Sequence, residues 1–191
     1  KAYGGSNVYA GGAIGCLIGY ESFENVTVKY DSSHPSVGEE SEYFVYGVQN
    51  GSFPVGHNTD LKCEGYVGGV VGLSMDTPIK QIYVKGDSEN KSTVYFESAN
   101  NPDTASIGGL IGASWRWKKS YLEAVVGGGS ENMHVAGKAY SNVSSDSVIP
   151  DIYVGGAIGV LANPSDTGVN GTVYIGKISV SDNVIESIGE E

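Results

Sequence analysis

At 191 residues the chain is long enough to bury a core of its own, as one domain or as a short repeat array. Its 29 glycines and 13 tyrosines, the many Ser, Val and Ile, and the lack of any long amphipathic helical pattern point to an all-β protein. A formal charge of −11, from 11 Lys plus Arg against 22 Asp plus Glu, argues against nucleic acid as a partner, because phosphate binding needs clustered cations.

In chain order the first element is "KAYGGSNV" (Lys1 to Val8), which echoes "KAYSNV" at Lys138 to Val143. Residues 1–5 therefore read as the remnant of a preceding unit. Next comes the kernel "YAGGAIG" (Tyr9 to Gly15), repeated as "YVGGVVG" (Tyr66 to Gly72), "SIGGLIG" (Ser106 to Gly112) and "YVGGAIG" (Tyr153 to Gly159). The first glycines, Gly11, Gly68, Gly108 and Gly155, are separated by 57, 40 and 47 residues, the mark of a stacked unit whose turns carry insertions. The units span approximately 6–62, 63–104, 105–151 and 152–191 of a single repeat domain.

Behind each kernel follows a short β-branched run: "NVTVKY" (Asn25 to Tyr30), "QIYVKG" (Gln81 to Gly86), "EAVVGG" (Glu123 to Gly128) and "TVYIGK" (Thr172 to Lys177). Further on stand "EYFVYGV" (Glu42 to Val48), "STVYFES" (Ser92 to Ser98), "MHVAGKAY" (Met133 to Tyr140) and "KISVSDNVI" (Lys177 to Ile185). Three strands per unit are thus expected, joined by turns rich in Asp, Asn, Ser, Gly and Pro. Such a unit cannot bury an apolar face alone, but stacking pairs each strand with its equivalent. The expected fold is a β-solenoid or β-helix of about four three-stranded coils, with a β-sandwich or β-prism as the alternative.

Within the kernels, the pairs Gly11–Gly12, Gly68–Gly69, Gly108–Gly109 and Gly155–Gly156 are expected to allow a tight bend or a positive φ. Gly15, Gly72, Gly112 and Gly159 are expected to let coils press together. The residues between them (Ala13 and Ile14, Val70 and Val71, Leu110 and Ile111, Ala157 and Ile158) would supply core, and Tyr9, Tyr66 and Tyr153 an aromatic ladder.

These kernels, "GGAIG", "GGVVG", "GGLIG" and "GGAIG", with the following "VTVKY", "IYVKG", "AVVGG" and "VYIGK", resemble the GLUG repeats of bacterial surface proteins and adhesins. The resemblance implies a β-solenoid on a large extracellular protein and carries no catalytic residues.

Other chemistry is thinly supported. No kernel has the Gly-Lys-Ser/Thr of a phosphate loop, and no His or Cys pair has zinc spacing, so neither cofactor nor metal is expected. The weak exceptions are Ca²⁺ at Asp87 to Asn90 or Pro164 to Thr172. Acidic residues show no acid-and-partner spacing, which leaves a polysaccharide-active enzyme as a remote alternative and a non-enzyme as the expectation. "SWRWKK" (Ser114 to Lys119) holds both tryptophans; Trp115, Trp117 and Tyr121 either pack a thin core or stack on sugars as a carbohydrate-binding module.

Five asparagines, Asn25, Asn50, Asn90, Asn142 and Asn170, begin glycosylation sequons. Cys16 and Cys63 could close a disulfide, worth about 4 kcal/mol over a loop of that length, or remain buried thiols. Both signals suit a secreted or cell-surface protein. No segment approaches the about 20 apolar residues of a membrane span, and no basic-then-apolar leader opens the chain, so it reads as a mature or excised piece without membrane insertion. The expected function is an extracellular structural repeat protein: a stalk, adhesin or filament subunit that self-associates end to end or meets a host surface or glycan.

Overall fold

The computed structural model describes residues 2–4, 7–29, 43–49, 64–86, 92–98, 104–115, 123–140, 151–162 and 174–190. Among them the regular elements are all strands. After β1 (Ala2–Gly4), the first coil is β2 (Val8–Gly11), β3 (Ile14–Ile18), β4 (Phe23–Lys29) and β5 (Tyr43–Gln49). The second is β6 (Glu64–Gly68), β7 (Val71–Met75), β8 (Ile79–Lys85) and β9 (Ser92–Ser98). The third is β10 (Thr104–Gly108), β11 (Ile111–Trp115), β12 (Glu123–Glu131) and β13 (Met133–Tyr140). The fourth is β14 (Asp151–Gly155), β15 (Ile158–Ala162), β16 (Tyr174–Ser181) and β17 (Val184–Glu190).

Equivalent strands of successive coils pair in parallel, giving the sheets β2-β6-β10-β14, β3-β7-β11-β15, β4-β8-β12-β16 and β1-β5-β9-β13-β17. Parallel pairing of each strand with its counterpart is the architecture of a β-solenoid and departs from the antiparallel pattern of a sandwich. Each coil has four strands, where three were expected. The reason lies in the kernel, whose glycine pair ends one strand and whose third glycine already belongs to the next. The kernel is a corner between two sheets.

The start of the chain also takes its place in register. β1 lies beside β5, with Ala2 opposite Gly47 and Tyr3 opposite Val48. It thus shares a sheet with "MHVAGKAY", but the ladder aligns Ala2 with Gly137, two residues earlier than the sequence echo suggests.

In the third sheet an additional irregularity recurs. Asn25, Gln81, Gly127 and Lys177 all have left-handed backbone (φ 60, 52, 70 and 54°) and are skipped by the register between coils. The extra residue is a stacked bulge, and it lets Ile79 and Ile82, three apart, both point inward before alternation resumes at Val84.

All four sheets feed one core, which includes Val67, Val71, Ile82, Phe96, Ile107, Leu110 and Met133, each 0% exposed. A smaller cluster sits between the two sheets that meet at the kernel: Tyr66, Leu73 and Ala113, with Tyr9, Cys16, Met75, Trp115 and Val160 packed against it. Of the expected core pairs, Val70, Val71, Leu110 and Ile111 are buried, Ile14, Ala157 and Ile158 are partly so, and Ala13 is exposed.

Candidate functional site

The twelve kernel glycines face three different obstacles. None has a positive φ; the pairs are needed for space rather than for left-handed backbone. A Cβ on the first (Gly11, Gly68, Gly108 or Gly155) would overlap the carbonyl of the residue three ahead in its own corner. On the second, a Cβ at Gly12, Gly69 or Gly109 would overlap the carbonyl of the equivalent glycine in the following coil. The third lets neighbouring coils press together, as expected, and also lets the flanking sheet approach: a Cβ on Gly72 would lie 2.5 Å from O of Gly15, its equivalent in the preceding coil, and 2.8 Å from Ala10 O, and one on Gly112 2.6 Å from Val67 N. The Ser106 hydroxyl exploits that closeness and donates to Gly112 O at 2.6 Å.

The corners also carry a directional hydrogen-bond ladder. Gly12 N–H donates to Gly68 O, while Ala13 and Ile14 N–H share Val70 O; the same pattern joins Gly69, Val70 and Val71 to the third coil and Gly109, Leu110 and Ile111 to the fourth. Donors always lie in the earlier coil. Consequently Gly156, Ala157 and Ile158 keep open donors, and Gly11 and Ala13 open acceptors, among the described residues.

Beside the corner, Tyr9 stacks on Tyr66 with centroids 5.8 Å apart and planes 7° apart. The expected ladder is interrupted in the third coil, where Ser106 holds the register position between Tyr66 and Tyr153. There Trp115 meets Tyr66 edge-on at 5.3 Å and 84°. Tyr66 is 1% exposed, and neither its hydroxyl nor the buried Trp115 Nε1 has a hydrogen-bond partner among the described residues. Burial, reinforced by the Glu64 charge, pushes the Tyr66 phenol far above its ordinary range. Burial likewise raises the Cys16 thiol, which makes no disulfide.

Of the remaining expected positions, Asn25 is exposed on its bulge. Cys63, Asn50, Asn90, Asn142, Asn170, Trp117, Tyr121 and both Ca²⁺ candidate loops lie outside the described residues. Among the described residues no three His, Cys, Asp or Glu side chains group as metal ligands, and no helix is long and apolar enough to cross a membrane.

Two features stand out, the first without a signal in the sequence and the second at the stack ends where end-to-end association is expected. One is a shallow depression of about 330 Å³ on the outer face of the third sheet, between Tyr83 and Ser179, where Gly129 leaves a gap in the outward ladder. Lys29 and Lys85 stand in register at its rim, and Lys85 Nζ lies 2.9 Å from Glu131 Oε1. The other is the pair of open stack ends. In the column Val45, Val94, Val135 and Ile185 the first three are 4%, 0% and 0% exposed, but Ile185 is 52% exposed. Val180 (48%) and Tyr153 (44%) share that end, and Ile18 (61%) and Tyr20 (60%) lie in the first coil.

No family model matches the chain, and neither a curated protein nor a solved structure matches it.

Proposed function

We propose that this protein is an extracellular structural element, a stalk, adhesin or filament subunit, in which the coil that covers each end of the stack is supplied by another copy. The observation that carries this reading is Ile185: a side chain in register with the buried column Val45, Val94 and Val135, yet 52% exposed. Open donors at one end and open acceptors at the other are in matching register, so the joint is head-to-tail and self-propagating rather than closed. Continuing the register would set Tyr153 beside the next copy's Tyr9, renewing the tyrosine stack, and Val180 beside its Val28. The GLUG-like kernels and the exposed sequon at Asn25 support the extracellular placement.

Sedimentation velocity over a concentration range tests the reading. The chain should gain mass with concentration, and Ile185→Lys should hold it monomeric. A wild-type chain that stays monomeric throughout would overturn it.

A second reading, carbohydrate binding, is favoured by the depression beside Tyr83, whose 45% exposed ring offers a sugar-stacking surface flanked by Lys29 and Lys85. Binding of oligosaccharides that is lost in Tyr83→Ala, but kept in Trp115→Phe, would support it. No binding across neutral and acidic glycans would remove it.

A further inference from the structure

We propose that the depression on the outer face of the third sheet is a subsite for an acidic sugar, a pyranose that packs on the Tyr83 ring above Gly129 and sets its carboxylate against Lys29. This deepens the carbohydrate-binding reading above and rests on it. The floor of the site is a missing side chain. Along the outward column Thr27, Tyr83, Gly129 and Ser179, the third position alone has no Cβ, and a strand lies on either side of it. A Cβ there would stand 3.5 Å from Tyr83 Cδ1 and 2.6 Å from Ser179 Oγ, so both side chains border the gap. The volume of about 330 Å³ falls within the range of about 300–1,000 Å³ common to ligand sites, and Tyr83, 45% exposed, has ring surface left to cover.

The charge of the ligand follows from the neighbouring column. Lys29 and Lys85 are paired in register on adjacent strands, and like charges set opposite one another repel. Glu131, next in the column, answers only one of them: its Oε1 lies 2.9 Å from Lys85 Nζ. Lys29 makes no ion pair among the described residues. An anion beside Lys29 relieves the repulsion that Glu131 leaves. The whole chain carries −11, yet the four strands of this sheet hold four lysines against three glutamates, so the local field suits an acidic ligand. A simple anion would leave Tyr83 and the gap without a part. A sugar uses both, and the hydroxyls of Thr27 and Ser181 can meet its own.

Isothermal titration with hexuronate oligomers, the tetramers of galacturonate and of glucuronate, against their methyl esters tests the subsite. The acids should bind, and the uncharged esters should bind about three- to fivefold more weakly. That difference should vanish in about 1 M salt, where the screening length falls to about 3 Å. Lys29→Gln should weaken the acids by about the same factor and leave the esters unchanged, whereas Glu131→Gln, which frees Lys85, should tighten the acids. Tyr83→Ala should weaken acids and esters alike. Acids and esters that bind equally, or a Glu131→Gln chain that binds the acids no more tightly than wild type, would overturn the acidic subsite and leave the carbohydrate reading standing. No binding of acid or ester would overturn the subsite as well, and with no neutral glycan bound either, the carbohydrate reading falls with it.

Discussion

A Cβ on Gly109 would overlap the carbonyl oxygen of Gly156 in the following coil, whereas a Cβ on Gly156 would meet only the side chains of Val180 and Ile185, at 3.0 and 3.2 Å. The same kernel position is therefore closed by backbone in the third coil and by yielding, half-exposed side chains in the fourth. Gly109→Ala should destabilise the fold by at least about 2 kcal/mol, since the obstacle is backbone, a carbonyl that accepts from Asn183 Nδ2, and it cannot rotate away as a side chain can. Gly156→Ala should cost less than about 1 kcal/mol in the isolated chain, yet impair end-to-end association, where a new carbonyl would arrive over it. Urea denaturation of the two variants checks the contrast; equal losses would mean that the corner does not work as described.

Tyr66 should respond unusually to loss of its hydroxyl. Removing a buried group that has no partner relieves a desolvation cost, so Tyr66→Phe should hold or raise stability, by up to about 1 kcal/mol. The pH dependence follows from the raised phenol. Its folded value lies above the ordinary 10.0, so the folded state keeps the proton after the unfolded chain has released it. That contribution is complete below pH 10 and declines above it, by up to about 1.4 kcal/mol per pH unit for one group. Tyr66→Phe should make the alkaline loss shallower in denaturant titrations between neutral pH and pH 11. An unchanged slope would place the alkaline sensitivity elsewhere.

Asn183 ties the last two coils together. Its Oδ1 accepts from Met133 N–H at 3.0 Å, and its Nδ2 donates to Ser130 Oγ at 2.8 Å and Gly156 O at 3.0 Å. Asn183→Ala strands the backbone donor of Met133, a residue 0% exposed, and should cost about 1–3 kcal/mol. Asn7 accepts from Glu64 N–H at 3.3 Å in an exposed setting, so Asn7→Ala should cost less than about 0.5 kcal/mol. Thermal denaturation of both gives the comparison, and similar shifts would count against the clip.

The extracellular placement makes its own prediction. Expressed through a glycosylating secretory route, the chain should carry a glycan at Asn25, and Asn25→Gln should remove one glycan's mass from the intact protein. A wild-type mass equal to the bare polypeptide would withdraw the support that the sequons lend.

The β character, the stacking and the core role of Val70, Val71, Leu110 and Ile111 were legible because the kernels repeat in letters as well as in shape. "STVYFES" and "MHVAGKAY" coincide with β9 and β13, their alternation being that of strands facing one core. The fourth strand was hidden because a glycine corner and a glycine-bearing strand read alike until the sheets are known. "KISVSDNVI" reads as one strand, yet Asp182, with φ 55°, and Asn183 turn the chain between β16 and β17. Nor could the bulge column be seen, since Asn25, Gln81, Gly127 and Lys177 share a backbone conformation and no side-chain chemistry. Trp115 stood out by composition, but only the gap at Ser106 explains its packing on Tyr66.

The central claim is that copies continue one another's coils along a common axis. Cryo-electron microscopy of assembled wild-type chain measures this through the rise per subunit. Four rungs of about 4.8 Å give a rise of about 19 Å, with the 4.8 Å spacing itself running along the filament. Particles that remain single at assembly concentrations, or filaments whose strand spacing lies across the axis, would contradict the account.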